Sequence, residues 1–425
     1  MFTMAGSRMA PAKPLSDASM RIRLEWIIVS IVIGVIVAVV PHLSGRDRRA
    51  AVEPPDIAPA VGMPGAPPTS AEGLRNRISE MERRLQVAPQ DDGAAVLLAD
   101  ALLRQARVTG DSRLSGRAGS LLASVLKVVP RHYDALRMLG ATYLSQHRFR
   151  EALDVGRRAR DLRPGDAWNY GVIGDASLEL GEYADAFEAF DQMVTMRPNA
   201  ASYARVAYAR ELQGNLTGAL RAMEMAREAT AASDPEAQAW YGAQVGDLYL
   251  RMKLLVEAER EYRRAAFLFE DHPFAMIGQG KVQAARGNRE AALAIFVEQF
   301  ERTPTLDLAA RIGDLHAQGG RAAEAERFYR LAEELAGPAI AQTESNLALF
   351  LAEHDRKLPE AIKIAEAVAA TRHDIFTEDA LAWAYYKTGR LEEAFVASQR
   401  ALRTGTRDDR VLSHAAAIRA ARGRI

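Results

Sequence analysis

The sequence predicts an all-α chain, a solenoid of about nine helix-turn-helix units following one transmembrane helix. Three observations predict it. An alanine recurs at a near-constant interval from Ala118 to Ala394, and a glycine stands five residues before it in most units. Residues 26–40, WIIVSIVIGVIVAVV, are apolar apart from Ser30.

The N-terminal elements come first. With Leu24 and Leu43 the apolar run reaches about 20 residues, enough at ~1.5 Å per residue to cross a bilayer of ~30 Å. A cleaved signal peptide would have a shorter run and a small-x-small site, and PHLSGRDRR, which follows Val40, offers none. Residues 22–43 therefore read as an anchor behind a short tail, 1–21. Arg8, Lys13, Arg21 and Arg23 precede it and Arg46, Arg48 and Arg49 follow, so basic residues barely choose an orientation. By analogy with other single-span anchors, the short tail and long body favour a single-pass inner-membrane protein with an extracytoplasmic, periplasmic body.

Residues 44–68 carry Pro54, Pro55, Pro59, Pro64, Pro67 and Pro68 among glycine and alanine, a spacer that cannot bury a core. Thr69 and Glu72 have capping-box spacing and open a helix over 69–88. In it Leu74, Ile78, Met81 and Leu85 form a stripe only two heptads long. That stripe either covers the first repeat or pairs with a second copy in a homodimer.

The repeats occupy 89–407. Pro130, Pro164 and Pro198 stand 34 residues apart, as do Ala118, Ala152 and Ala186. The alanine continues as Ala219, Ala258, Ala292, Ala325, Ala361 and Ala394, preceded by Gly181, Gly214, Gly287, Gly320 and Gly389. Phe190, Tyr262, Phe296 and Tyr329 follow it by four residues. Each unit reads as two helices. The first carries a small residue (Gly140, Gly174, Ala207, Gly246, Gly280, Gly313, Ala382) where the second approaches. The glycine makes the turn and the proline ends the second helix. No such unit buries its apolar face alone, so neighbours must stack. A long inter-helix loop is expected in the first unit, and the unit at 345–369 lacks the turn glycine. Residues 408–425 hold a terminal amphipathic helix.

On these residues the chain resembles the tetratricopeptide-repeat (TPR) proteins, bacterial single-span membrane-anchored type. Tyr170, Ile173, Gly174, Ala186, Phe190 and Pro198 fall on the family pattern within one unit. SNLALFLAEHD, EDALAWAYYKTGRLEEA and ALRTGTRDDR resemble a bacterial subgroup. The resemblance implies a right-handed solenoid closed by a capping helix, with a concave wall lined by the first helix of each unit.

Chemistry is sparse. Equal numbers of basic and acidic residues, 55 each, argue against a nucleic-acid partner. The absence of cysteine excludes disulfides, thiolate metal sites and cysteine nucleophiles. The eight histidines show no HxxxH spacing and read as surface or loop residues, and Glu353-His354-Asp355 reads as a solvated turn. GQGK (278–281) lacks the phosphate-loop spacing and falls within a helix. The pairs Glu333-Glu334 and Glu392-Glu393 read as solvent-facing. No catalytic residue, metal site or cofactor is expected, and the chain reads as no enzyme.

The resemblance places Asp175, Asp247, Asp314, Trp383 and Tyr208 at one wall position and Trp168, Trp240, Phe274 and Phe376 at another. Asp379 and Tyr386 occupy two more. Aromatics beside aspartates suit a peptide with apolar and basic side chains. The same residues could equally pack between helices, and for Trp383 and Tyr386 both readings stand. Tyr385 belongs to the packing framework. The family's carboxylate clamp needs Lys and Asn at these positions, and this chain does not match it. The expectation is a membrane-tethered scaffold that binds another protein or peptide and aids assembly of an envelope complex. A self-associating scaffold, joined through residues 72–87 or through the span, is the alternative.

Overall fold

The computed structural model describes residues 71–109, 112–232, 234–270, 272–341 and 345–423. The expected tail, membrane segment and spacer (1–68) lie outside the described residues, as does Thr69. Among the described residues no helix is long and apolar enough to cross a membrane. They form twenty α-helices and no strand.

Helix α1 (Ala71–Val87) lies on α2 (Asp92–Thr109). Its Met81 is fully buried, and Ile78 and Leu85 pack on the same core. Its stripe thus covers the first repeat. Nine helix pairs follow, beginning with α2 and α3 (Ser112–Val128). The long loop expected in this pair is instead taken up as helix, since α2 ends at Thr109 and α3 starts at Ser112. Next come α4 (Tyr133–Ser145) with α5 (Phe149–Leu162), α6 (Ala167–Glu179) with α7 (Tyr183–Met196), and α8 (Ala200–Leu212) with α9 (Leu216–Glu228). They continue as α10 (Pro235–Arg251) with α11 (Leu255–Leu268), α12 (Pro273–Ala285) with α13 (Arg289–Arg302), and α14 (Leu306–Gln318) with α15 (Ala322–Ala341). The last pairs are α16 (Asn346–Glu353) with α17 (Leu358–Ala369) and α18 (Ile375–Lys387) with α19 (Leu391–Ala401), and α20 (Asp409–Arg422) packs on both helices of the final pair.

One turn serves the pairs. The residue five before the repeated alanine is left-handed: Gly181, Gly214, Gly287, Gly320 and Gly389 have φ of 76°, 74°, 81°, 73° and 80°. The following amide reaches back five residues, as in Glu182 N to Ser177 O at 2.8 Å and Arg390 N to Tyr385 O at 2.9 Å. This is the bond that closes a helix whose last carbonyls lack partners. Where glycine is missing, His147 (φ 56°) and Lys253 (φ 64°) adopt the same conformation at that position, and Asp355 (φ 55°) does so one residue earlier, in a turn that also holds Lys357 at φ 39°. The geometry belongs to the repeat, and three units hold it against side-chain strain.

The small residue on each first helix is matched in size to its neighbour. A Cβ at Gly174 would stand 2.4 Å from Phe190, at Gly280 2.4 Å from Phe296, at Gly246 2.7 Å from Tyr262, and at Gly313 2.5 Å from Tyr329. Where alanine replaces the glycine, at Ala207 and Ala382, the equivalent neighbours are Met223 and Ser398, all buried. Interiors are close-packed, so in these four units glycine and aromatic come as a pair, whereas a Cβ at Gly140 would meet Val172 at 2.9 Å.

The chain also curls back on itself. The segment before α18 and the loop between α19 and α20 rest on the α6–α7, α8–α9 and α10–α11 turns. His373 donates its backbone N–H to the Glu179 carbonyl at 3.1 Å, and the Tyr183 hydroxyl bonds the Ile375 amide nitrogen at 2.8 Å. Ile375 is fully buried within the core of the N-terminal pairs. Arg403 bonds the His373 carbonyl and lies over the Tyr183 ring, and Lys253 pairs with Asp409. The backbone oxygen of Gly405 and the side chain of Arg407 stand against Gly214.

Candidate binding wall on the first helices

First helices of successive pairs touch one another directly, as α10 does α12 and α16 does α18, and the terminal helix α20 continues the row on α18. They form one wall. The wall position held by aspartate in three units faces the next unit, and each aspartate finds a basic partner there.

Asp175 takes a two-pronged contact from Arg205, Nε at 2.9 Å and Nη2 at 2.6 Å, with both side chains 5% exposed. Asp247 accepts from Tyr262 at 2.7 Å within its own unit and from Lys281 Nζ at 3.0 Å one unit on. Asp314 accepts from Tyr329 at 3.0 Å and meets His354 Nε2 at 2.8 Å. Asp379, at a neighbouring position, meets Arg410 Nε at 3.2 Å and His414 Nδ1 at 3.1 Å, both on α20. Buried charges require such pairing. The four aspartates therefore form an acid–base ladder joining unit to unit, and Asp175 and Asp379 have no open face for a ligand.

Lys281, the last residue of GQGK, is one rung of that ladder inside α12, 2% exposed. Burial lowers its pKa, and Arg311 adds to the effect while Asp247 opposes it. His354 corrects the solvated reading of Glu353-His354-Asp355. Its ring lies 4.5 Å from Tyr329 and 4.6 Å from Phe350, and Glu353 is buried beside it. Burial disfavours its charge, but Asp314, the Phe350 carbonyl and Glu353 outweigh that and raise its pKa above the ordinary 6.5. His272 and His414 are buried too, which corrects the expectation of surface histidines. Glu333 is likewise no solvent-facing carboxylate, because Arg356 and Lys357 hold it at 2.5 and 2.7 Å.

The aromatic residues divide. Trp168 is buried under the Arg137 guanidinium, 4.8 Å from the ring centre, and Trp240 is buried edge-on to Tyr241 at 4.9 Å. Tyr208 is buried near the returning C-terminal segment. Burial, reinforced by Glu179, Glu211 and Asp374, raises its pKa well above the ordinary 10.0. These three present packing faces.

Phe274, Phe376, Trp383 and Tyr386 are half-buried. Phe376 lies 5.9 Å below Arg410, and Phe274 leans on His272 at 5.9 Å. Trp383 is the middle of a three-ring stack, 3.8 Å from His414 at 8° and 4.8 Å from Tyr386 at 24°. Lys387 Nζ stands 5.7 Å over the same indole and pairs with Asp355 at 2.5 Å. The indole Nε1 is buried without a hydrogen-bond partner. Tyr385 turns the other way, its hydroxyl on Glu366 at 2.9 Å and Arg390 over its ring.

Sequence reasoning missed the basic half of the ladder, Arg205, Lys281, His354, Arg410 and His414. Lys281 carried a signal, since it stands 34 residues after Asp247, one full period. It also missed Glu179, Arg372 and Asp374, whose meeting follows from curvature and from no motif.

A family model described as tetratricopeptide repeat matches residues 103–167 and 172–235. Among solved structures, the human IFIT1 dimer with PPP-AAAA is similar at 16% identity and a TM-score of 0.50, over 78% of this chain and 78% of that one. Yeast Tom70 is 13% identical at a TM-score of 0.44, over 83% of this chain and 87% of that one. A search of curated proteins finds no match to this chain. The described residues form an all-α solenoid, and the chain carries tetratricopeptide repeats.

Proposed function

We propose that the chain is a non-enzymatic scaffold that holds another protein or peptide on the wall of its first helices, tethered to a membrane through residues 24–43. One observation carries the reading: the Trp383–Tyr386 step, half-exposed on that wall beside Lys387 and Asp355. Trp383 is fixed by His414 behind it, so the step is rigid before a partner arrives, which lowers the ordering cost of binding. Flat aromatic area next to paired charges suits a peptide carrying an apolar and a basic side chain. Assembly of an envelope complex is the role we infer for such a tethered holder.

Photocross-linking in cells from position 387, beside the Trp383–Tyr386 step, read by mass spectrometry, tests the binding claim. A discrete partner lost in a Tyr386→Ala chain supports it, and a cross-link pattern indistinguishable from one taken at Val87, an exposed residue on α1, refutes it. A reporter fused to the C-terminus tests the side of the membrane.

A further inference from the structure

We propose that the seam between the α6–α11 turns and the C-terminal pairs is a reversible latch that takes up protons as it closes, so mildly acidic solution holds the solenoid shut. The geometry that points to this is a shortage of cations. At one end of the seam Arg372 alone serves two carboxylates, Glu179 through Nη2 at 2.7 Å and Asp374 through Nε at 2.7 Å. All three side chains are at most 6% exposed. Neighbouring Asp175 consumes Arg205 completely. At the other end Arg251 is shared in the same way, by Glu211 at 3.2 Å and Asp408 at 3.1 Å. The first end therefore carries one negative charge too many for a buried site, and at the second, where Lys253 and Arg407 also line the cleft, Glu211 and Asp408 share one half-buried guanidinium.

The proton goes to the acid with fewest donors. Asp374 caps α18, accepting from the Phe376 and Thr377 amides and the Thr377 hydroxyl. Those bonds and Arg372 hold its pKa low despite burial. Glu179 has Arg372 alone, and burial, with Asp374 and Asp175 adding to it, lifts its carboxyl to about 7. Burial also raises Glu211, against the pull of Arg251. The remaining groups at the seam do not supply the missing charge. Tyr183 and Tyr208 stay neutral, their pKa values raised by burial, and Arg403 is turned to backbone carbonyls and the Tyr183 ring. Glu378 is held by Arg400 at 2.8 Å and by His373 at 3.7 Å.

The sign follows. In an open latch Glu179 is solvated with an ordinary value of 4.5, and in the closed latch it titrates at about 7. Closing is therefore most favourable below the open value, weakens about tenfold per pH unit as pH rises towards the closed value, and levels off above it.

The chain has no cysteine, so two can be placed for spin labels. Gln192→Cys on α7 and Val396→Cys on α19 are exposed and lie on opposite sides of the seam. Distances on the full chain should show one short population at pH 5 and a growing longer one by pH 7.5. Glu179→Gln with Glu211→Gln should stay short at both, and Arg372→Ala should show the longer population at both. A wild-type distribution unchanged with pH, a pH shift surviving the double glutamine change, or an Arg372→Ala chain that stays closed would each overturn the latch.

Discussion

The wall around α6–α10 and the wall around α14–α20 carry the same repeat positions and treat them differently. In the first, Asp175, Tyr208 and Trp240 are buried, and the returning C-terminal segment meets the edge beside them. In the second, Asp314, Trp383 and Phe376, at the same two positions, keep part of their surface open, although Asp379 beside them is buried. Repeat position fixes where a side chain stands on its helix. Curvature of the whole solenoid decides whether water can reach it.

Breaking the seam should have the largest effect. Arg372→Ala removes the cation that lets Glu179 and Asp374 be buried together, so the seam opens and its burial is lost, and it should cost about 3–5 kcal/mol in denaturant unfolding. A cost below about 1 kcal/mol would mean that the seam contributes little. Next comes packing common to both regions: Gly174→Ala drives a methyl group into Phe190 at 2.4 Å and should cost about 1–3 kcal/mol. A neutral result would show that the aromatic ring can retreat.

The open region can be probed by pH. His354 has a raised pKa in the folded chain, so its contribution is complete below the ordinary 6.5 and is lost as pH rises through the folded value. His354→Gln should lower the melting temperature at pH 6 more than at pH 8.5, and an equal loss at both would contradict the charged contact with Asp314. The smallest stability effect is expected at Tyr386→Ala, about 1 kcal/mol or less, because only one face of its ring is stacked. Its partner capture should nonetheless fall. Trp383→Ala is the poorer test, since it also removes the support of His414 and thus of Asp379.

The local structure was legible because it is written locally. Gly174 with Phe190, and Gly280 with Phe296, are a steric pair at fixed spacing, and Gly181 or Gly389 marks a turn that needs a left-handed residue. His147, Lys253 and Asp355 were invisible because non-glycine residues occupy that conformation only when the surrounding helices impose it. The candidate wall was half legible. Its Gly-Asp steps were seen, but their partners lie one unit on, at offsets of 30 residues for Arg205 and 40 for His354 that break the period. The seam was not legible at all. Glu179 and Arg372 stand 193 positions apart, and only the accumulated rotation of the intervening pairs brings them together.

Hydrogen exchange at His373 and Ile375 tests the central claim, that the C-terminal segment closes on the α6–α7 turn. Both residues precede or begin α18, where amides have no intrahelical partner. The account predicts slow exchange at His373, whose amide is bonded to Glu179, and its acceleration in Arg372→Ala while α4 and α5 stay protected. Exchange at His373 as fast as in an exposed loop of the unmodified chain would contradict it.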